Sequence, residues 1–190
     1  VCPASVIESE LWKIGQLRPG DTVRFVAVDY RSAREPKLRQ DTELRELSSE
    51  RAAERTQAVG VSKASAVISA LPESARGPSV TYRQAGDRYL LVEYGQMVLD
   101  LNLRFRIHAL MLRLEDARVQ GVLELTPGIR SLQVHYDGAR ISQSALVDLL
   151  QRLEADLGDI DALEVPTRVL RLPLSWDDPA TRLAIEKYEK

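Results

Sequence analysis

The polar groups around residues 126–130, which read Thr-Pro-Gly-Ile-Arg, are the best candidates for chemistry in this sequence. Pro127 fixes φ near a turn value and Gly128 permits a positive φ beside it, so the chain can reverse here. The backbone N–H groups of this turn and the Arg130 guanidinium could hold an anionic oxygen such as a carboxylate. Asn102, which can both donate and accept, is a further candidate. Asn102, Gly128 and Arg130 are therefore candidate substrate-binding residues, although turn geometry, an ion pair or a cap explains each equally well.

Three other residues invite an acid–base or nucleophilic interpretation that their surroundings do not support. His108 lies in an apolar row, without a nearby Ser, Cys or carboxylate partner in sequence, so packing or an interface is the favoured role. His135 alternates with apolar residues and is predicted to face solvent. Cys2 has no activating neighbour and, as the single cysteine, excludes an internal disulfide. No triad, zinc-type cluster or Gly-rich phosphate loop is recognisable, so no metal site is predicted and the catalytic residues stay unassigned.

A predicted β-hairpin over residues 121–136 positions the turn. Its first strand is a β-compatible run from Val122. Its second strand alternates apolar and polar side chains up to Tyr136, so that one face is buried and the other is exposed to solvent. Upstream, residues 80–84 and 88–94 form two further strand-like runs around a Gly-Asp turn. A last strand is predicted from Val169, Leu170 and Leu172.

Two amphipathic helices flank this hairpin. The first follows Asp100, a suitable N-cap, and the second follows Ser142, another one. Each carries a stripe of apolar residues at helical spacing that needs a sheet to cover. The stripes are Leu103, Ile107, Leu110, Met111 and Leu114 in the first helix, and Ala145, Leu146, Leu149, Leu150, Leu153 and Leu157 in the second.

The predicted element order is strand, helix, strand, strand, helix, strand, with a short extra strand in front. A four-stranded antiparallel sheet with both helices on one face buries the apolar stripe of each helix and the apolar side of each alternating strand. The predicted fold class is therefore α+β, in the ferredoxin-like split βαβ arrangement.

The first helix carries a second apolar row, which consists of Leu101, Phe105, His108 and Leu112. At 100° per residue this row lies roughly opposite the main stripe. A helix that is apolar on two sides normally contacts two things, so these four residues are predicted to form an interface with another domain or subunit. The alternative is a few tolerated surface hydrophobic residues.

Composition divides the chain into four predicted units. Residues 1–30, in which residues 22–28 alternate like a strand, are predicted to be the terminal strands of an upstream β-domain, since two strands alone make no core. Residues 31–77 are predicted to be a charged, partly helical linker rather than a recognition tail. Residues 78–172 form the compact α+β domain, and residues 173–190 the start of a downstream domain. The chain is thus expected to be a segment of a longer polypeptide.

Bulk composition is that of an ordinary soluble globular protein, with 44% hydrophobic and 28% charged residues. The single cysteine suits a reducing compartment, so a cytoplasmic location is expected. A formal net charge of −2, with basic and acidic residues interspersed, predicts no nucleic-acid partner. No apolar run reaches the length of a membrane span and no signal peptide is recognisable, so no membrane partner is predicted.

Three runs of this sequence resemble the N-terminal domain of the allophanate hydrolase subunit 1 family, also called the Kip-type kinase-inhibitor family. They are residues 86–95 (GDRYLLVEYG), 101–103 (LNL) and 126–137 (TPGIRSLQVHYD). Upstream, residues 12–23 (WKIGQLRPGDTV) resemble the tail of the allophanate hydrolase subunit 2 family. This order is that of the carboxyltransferase region of urea carboxylase and urea amidolyase. Residues 172–179 (LPLSWDDP) resemble the same branch, since free-standing subunits have a Cys-Tyr-Gly-Gly-type run there.

The resemblance implies a biotin-dependent carboxylase that acts on urea or guanidine. Biotin would be carried on another domain and ATP used by another domain, so this segment itself is expected to bind neither and to be inactive alone. The implied partners are the neighbouring carboxyltransferase domains, the biotin carrier domain of the same polypeptide and a small urea-like substrate. The resemblance leaves two alternatives open, namely a Kip-type module that inhibits a histidine kinase and a subunit of a 5-oxoprolinase.

Overall fold

The computed structural model describes residues 4–46, 65–74, 77–158, 160–175 and 177–189. Five helices and five strands occur in these residues, together with two 3-10 turns at Glu8–Glu10 and Ile160–Ala162. The helices are α1 (Leu11–Ile14), α2 (Tyr30–Glu46), α3 (Leu101–Asp116), α4 (Gln143–Ala155) and α5 (Pro179–Tyr188). The strands are β1 (Val67–Leu71), β2 (Val80–Ala85), β3 (Tyr89–Tyr94), β4 (Val122–Pro127) and β5 (Ser131–Tyr136).

The five strands form one antiparallel sheet in the order β1-β2-β3-β5-β4. Leu90 of β3 pairs with Val134 of β5, and Val80 of β2 pairs with Tyr94 of β3. Because side chains alternate along a strand, this register buries one face of the sheet. The fully buried side chains of that face are Tyr82, Leu90, Val92, Tyr94, Leu132, Val134 and Tyr136.

Helices α3 and α4 cover this buried face together. Leu103, Ile107, Leu110 and Leu114 of α3 share one core with Leu146, Val147 and Leu150 of α4. The Asp100 carboxylate accepts from the Asn102 N–H, and the Ser142 hydroxyl accepts from the Ala145 N–H, so both predicted N-caps are confirmed. The predicted α+β class, with an antiparallel sheet and two helices on one face, is confirmed as well.

The predicted closing strand at Val169, Leu170 and Leu172 is wrong. Residues 163–175 form neither helix nor strand, and Val169 and Leu172 are more than 80% exposed. The edge of β3 where this strand would pair is already taken by β2, which reaches it through a short turn at residues 86–88. A local hairpin closes a much shorter loop than a strand arriving from beyond α4.

The sheet is completed instead by β1, which lies inside residues 31–77, the predicted linker. β1 pairs with β2 at the sheet edge, and α2 occupies the first part of the same predicted linker. Residues 47–64 and 75–76 of that linker, like Cys2, lie outside the described residues. Residues 21–29 carry no regular structure, so the strand predicted over residues 22–28 is not formed here. A strand needs a partner, and within the described residues this stretch has none.

Helix α2 packs against the end of the sheet where β5 stops. The Tyr30 and Tyr136 hydroxyls lie 2.9 Å apart, and Arg34 Nη2 donates to the Gly138 carbonyl oxygen at 2.5 Å. Further upstream, the Glu8 N–H donates to the Asp87 carboxylate in the β2–β3 turn at 3.0 Å. These contacts attach α2 and the residues upstream of it to the α+β domain.

Candidate functional site

One end of the sheet gathers the predicted site residues. We call it the β3–α3 end; it consists of residues 95–102, which join β3 to α3, and residues 128–130, which join β4 to β5. Since Glu93 pairs with Ser131, the two segments leave the sheet side by side. Asn102, Gly128 and Arg130 therefore lie at the same end of the fold, as a shared substrate site would require.

The β3–α3 end is apolar and open to solvent. Met97 is 87% exposed, Leu99 84% and Leu101 70%, which is unusual for such large apolar side chains in adjoining positions. We call this surface the apolar end face; its members are Met97, Val98, Leu99, Leu101, Phe105 and Ile129, all of them exposed.

The second apolar row of α3 continues from this face. Leu101, Phe105 and Leu112 lie outside the core that contains Leu103 and Leu110, and His108 is half-buried. The helix is thus apolar on two sides, as its sequence indicates. The assignment of the row as an interface stays a prediction.

The Arg130 guanidinium is occupied by the protein itself. Its Nη1 lies 3.3 Å from the carbonyl oxygens of both Tyr94 and Gly95, and its Nη2 donates to Glu93 Oε1 at 3.0 Å. Its side chain is 19% exposed. The turn beside it is tight as well, since a Cβ at Gly128 would lie 2.7 Å from the Ser131 hydroxyl. Asn102, by contrast, has an exposed side chain.

A buried ion pair beneath this end was not predicted from the sequence. Arg106 of α3 and Glu154 of α4 are each 7% exposed, and Arg106 Nε donates to Glu154 Oε1 at 2.7 Å. Arg106 Nη2 donates to the same oxygen, and the Tyr94 hydroxyl donates to Glu154 Oε2. A Cβ at Gly77 would lie 2.7 Å from the guanidinium, so the segment before β2 closes over the pair.

The sequence does contain a signal for this pair. Arg106 stands between Leu103 and Leu110 on the buried stripe of α3, and Glu154 follows Leu150 by four residues on the stripe of α4. A single charge in an apolar stripe is costly, whereas opposite charges on two helices that share one sheet face can pair. Two facing stripes, each with one charge of opposite sign, predict such a contact.

The buried tyrosines predict a loss of stability at alkaline pH. Burial raises the pKa of Tyr82, Tyr94 and Tyr136 above the usual 10.0, and the Glu154 charge adds to the rise at Tyr82 and Tyr94. Above pH 10 the unfolded chain therefore releases protons that the folded chain keeps. Stability should be unaffected by these groups below pH 10 and fall above it, by about 1.4 kcal/mol per pH unit for each tyrosine.

Urea unfolding between about pH 8 and 11 would measure this slope. Tyr82→Phe should remove one of the three contributions and make the fall shallower. A free energy of unfolding that stays constant from pH 9 to 11 would contradict the assignment.

A cavity of about 460 Å³ lies at the opposite end of the sheet, between α2 and the ends of β4 and β5. Three of the charged side chains that line it are paired with each other, since Lys37 Nζ lies 2.8 Å from Asp41 and 3.6 Å from Glu8. His135, predicted to face solvent, lines this cavity with a side chain that is 19% exposed and stacks on Tyr89 at 4.6 Å. Along β5 this end, at Tyr136, is roughly 20 Å from Arg130. The cavity is therefore separate from the predicted substrate-binding residues.

Within the described residues, no group of three or more His, Cys, Asp or Glu side chains could hold a metal ion. In the same part of the chain, none of the helices is both long and apolar enough to cross a membrane.

A family model described as "Carboxyltransferase domain, subdomain C and D" matches residues 80–184, more than half of the chain. The chain belongs to this family. The match contains the whole β3–α3 end, so the apolar end face and the Arg106–Glu154 pair are features of a carboxyltransferase subdomain.

Curated and solved proteins are similar to this chain beyond the residues that the family model matches. Urea amidolyase of Lachancea kluyveri is 37% identical over 192 residues, covering 100% of this chain and 10% of that protein. Putative urea carboxylase of Emericella nidulans is 31% identical over 212 residues, covering 97% of this chain and 17% of that protein. The crystal structure of Kluyveromyces lactis urea carboxylase matches with a TM-score of 0.72 and 38% identity, over 81% of this chain and 14% of that chain. This carboxyltransferase chain thus spans about a tenth of the length of the urea amidolyases.

Proposed function

We propose that this chain is a segment of the carboxyltransferase part of a biotin-dependent urea or guanidine carboxylase. Such an enzyme transfers the carboxyl group from carboxybiotin to a urea-like nitrogen. The observation that carries the proposal is the similarity to urea amidolyase over 100% of this chain, including the upstream helix and the C-terminal tail. An isolated sheet-and-helix module would match over the α+β domain alone.

The apolar end face supports a shared site. Transfer requires that the carboxybiotin be desolvated, that the nitrogen be positioned and that charge on the ureido oxygen be stabilised. The β3–α3 end offers an exposed apolar surface, with Asn102 and the Gly128 turn at its margin. We therefore propose that a neighbouring domain covers this face and that the substrate and the biotin carried on another domain meet between the two. The chain alone would be inactive, with ATP used elsewhere in the polypeptide.

Two exposed stretches that form neither helix nor strand fit the same proposal. Phe25 is 74% exposed in residues 22–28, and Leu174 is 78% exposed in the tail before α5. Exposed apolar residues in a stretch without regular structure are expected where the segment pairs with a sheet supplied by another part of the protein. We propose that the first stretch completes an upstream β-domain and the second opens a downstream one, in a cytoplasmic protein.

The test is ATP turnover by the full polypeptide that contains this chain, with urea, guanidine and 5-oxoproline compared. Stimulation by urea or guanidine, dependent on bicarbonate and abolished by avidin, supports the proposal. Stimulation by 5-oxoproline alone would overturn it in favour of a 5-oxoprolinase subunit. If none of the three stimulates turnover, the carboxylase assignment fails as well.

A further inference from the structure

The joint between β3 and the loop that follows it is held from both faces of the sheet. On the buried face, the Tyr94 hydroxyl donates to Glu154, whose other oxygen is fixed by Arg106. On the outer face, Arg130 lies over the carbonyl oxygens of Tyr94 and Gly95. The Gly95 N–H donates to the Ser79 carbonyl oxygen at 2.9 Å. These contacts at Tyr94 and Gly95, which we call the joint, fix the direction in which the chain leaves the sheet.

Glu93 fixes the orientation of the Arg130 guanidinium on the outer face of the sheet. Its Oε1 accepts from Arg130 Nη2 at 3.0 Å, and its Oε2 accepts from Arg83 Nε. The carboxylate is 16% exposed, with one guanidinium on each side. A planar guanidinium fixed at one nitrogen presents its other nitrogen at a set angle, and here that nitrogen faces the two carbonyl oxygens.

We propose that Glu93 and Arg130 are positioning residues, which hold the Tyr94–Gly95 joint so that the loop after it presents the apolar end face and Asn102. This assignment rests on the proposed function for its catalytic consequence. It also changes the predicted role of Arg130: the guanidinium acts through the loop, and the substrate contacts are left to Asn102 and the turn. Residues 96–100 of the loop form no helix or strand and carry the exposed Met97 and Leu99.

Hydrogen exchange on the 190-residue chain tests the joint without reference to activity. Arg130→Met and Glu93→Gln should each speed exchange of amides in residues 94–100 roughly tenfold, because charge-assisted hydrogen bonds to the joint are lost. Amides of α4 should be unchanged, which separates loosening of the joint from global unfolding. Arg140→Met, at an exposed arginine beyond the opposite end of the sheet, is the matched control.

Kinetics of the full polypeptide test the consequence for the reaction. Each variant should lower the urea- or guanidine-dependent kcat about tenfold while ATP turnover without substrate, which needs no carboxyl transfer, is unchanged. The double variant should be no worse than Arg130→Met alone, because Glu93 acts on the joint through the Arg130 guanidinium. Arg130→Lys should behave like Arg130→Met, because a single ammonium nitrogen replaces the two that contact Glu93 and the carbonyl oxygens.

The outcomes are separable. If Glu93→Gln leaves exchange and kcat unchanged while Arg130→Met raises the KM for substrate, Arg130 contacts the substrate directly and the positioning role is overturned. Additive losses in the double variant would overturn it too. If the wild-type polypeptide uses neither urea nor guanidine, the proposed function fails, and the exchange measurement alone then decides whether Glu93 and Arg130 hold the joint.

Discussion

Glu154→Ala is expected to lower the free energy of unfolding by about 3–5 kcal/mol, a large part of the roughly 5–15 kcal/mol available to a domain. The substitution leaves the Arg106 guanidinium, with 8% of its side chain exposed, without its carboxylate. It also removes the acceptor of the Tyr94 hydroxyl. A buried charge and a buried donor then both lack partners, and the desolvation cost of each is no longer offset. Urea unfolding of the chain, followed by circular dichroism, measures the change.

Replacing both charges separates this explanation from simple loss of packing. Arg106→Met combined with Glu154→Leu should recover most of the lost stability, because two apolar side chains of similar volume need no partner. Arg182→Met, which breaks the exposed pair with Asp177, is the control and should leave the unfolding midpoint where it was. A Glu154→Ala variant as stable as the wild type would show that the pair makes no net contribution.

Local patterns in the sequence were sufficient to predict the central sheet and its helices. In β3 and β5 the alternation is strict, and the caps at Asp100 and Ser142 place the helix starts correctly. These signals are local: a pleated strand repeats every two residues, and a cap acts within one turn of its helix. Because these interactions act between neighbouring residues, a single sequence is enough to predict the strands and the helix starts.

The errors concern pairing, which is not local. Residues 67–71 (VISAL) and residues 169–172 look equally strand-like, but β1 has the free edge of β2 to pair with and the later segment has no free edge beside β3. Which partner a strand finds depends on loop closure and on the edges already taken. The apolar pattern of a segment indicates neither the length of the loop to be closed nor which sheet edges are free.

The residues proposed for the site lie at one end of the fold, but their contacts could not be predicted, and their role in substrate binding stays a prediction. Gly128, Arg130 and Asn102 do lie at one end of the fold, because the hairpin and the first helix start there. The engagement of Arg130 with Glu93 and two carbonyl oxygens depends on the register between β3 and β5, which fixes Glu93 opposite Ser131. That register is set when β3 and β5 pair in the folded sheet, so the role of Arg130 could not be assigned from the turn sequence alone.

The proposed coverage of the apolar end face makes Leu101→Asp the most informative substitution on this surface. Leu101 is the first residue of α3 and is 70% exposed. A carboxylate at a helix N-terminus is favourable, so the thermal stability of the 190-residue chain should be unchanged or slightly higher. In the full polypeptide the same carboxylate would be buried against a neighbouring domain, without a partner.

Substrate-dependent ATP turnover of the full Leu101→Asp polypeptide is therefore expected to fall about a hundredfold, which corresponds to about 2.7 kcal/mol of lost docking. Leu123→Asp is the matched control, since Leu123 is 58% exposed on β4 near the opposite end of the sheet and should tolerate the charge. Because the isolated chain stays folded, a loss confined to the full polypeptide can arise only from what covers this face. Full activity of Leu101→Asp would instead mean that the apolar end face is solvent-exposed in the enzyme, and the shared-site proposal would be wrong.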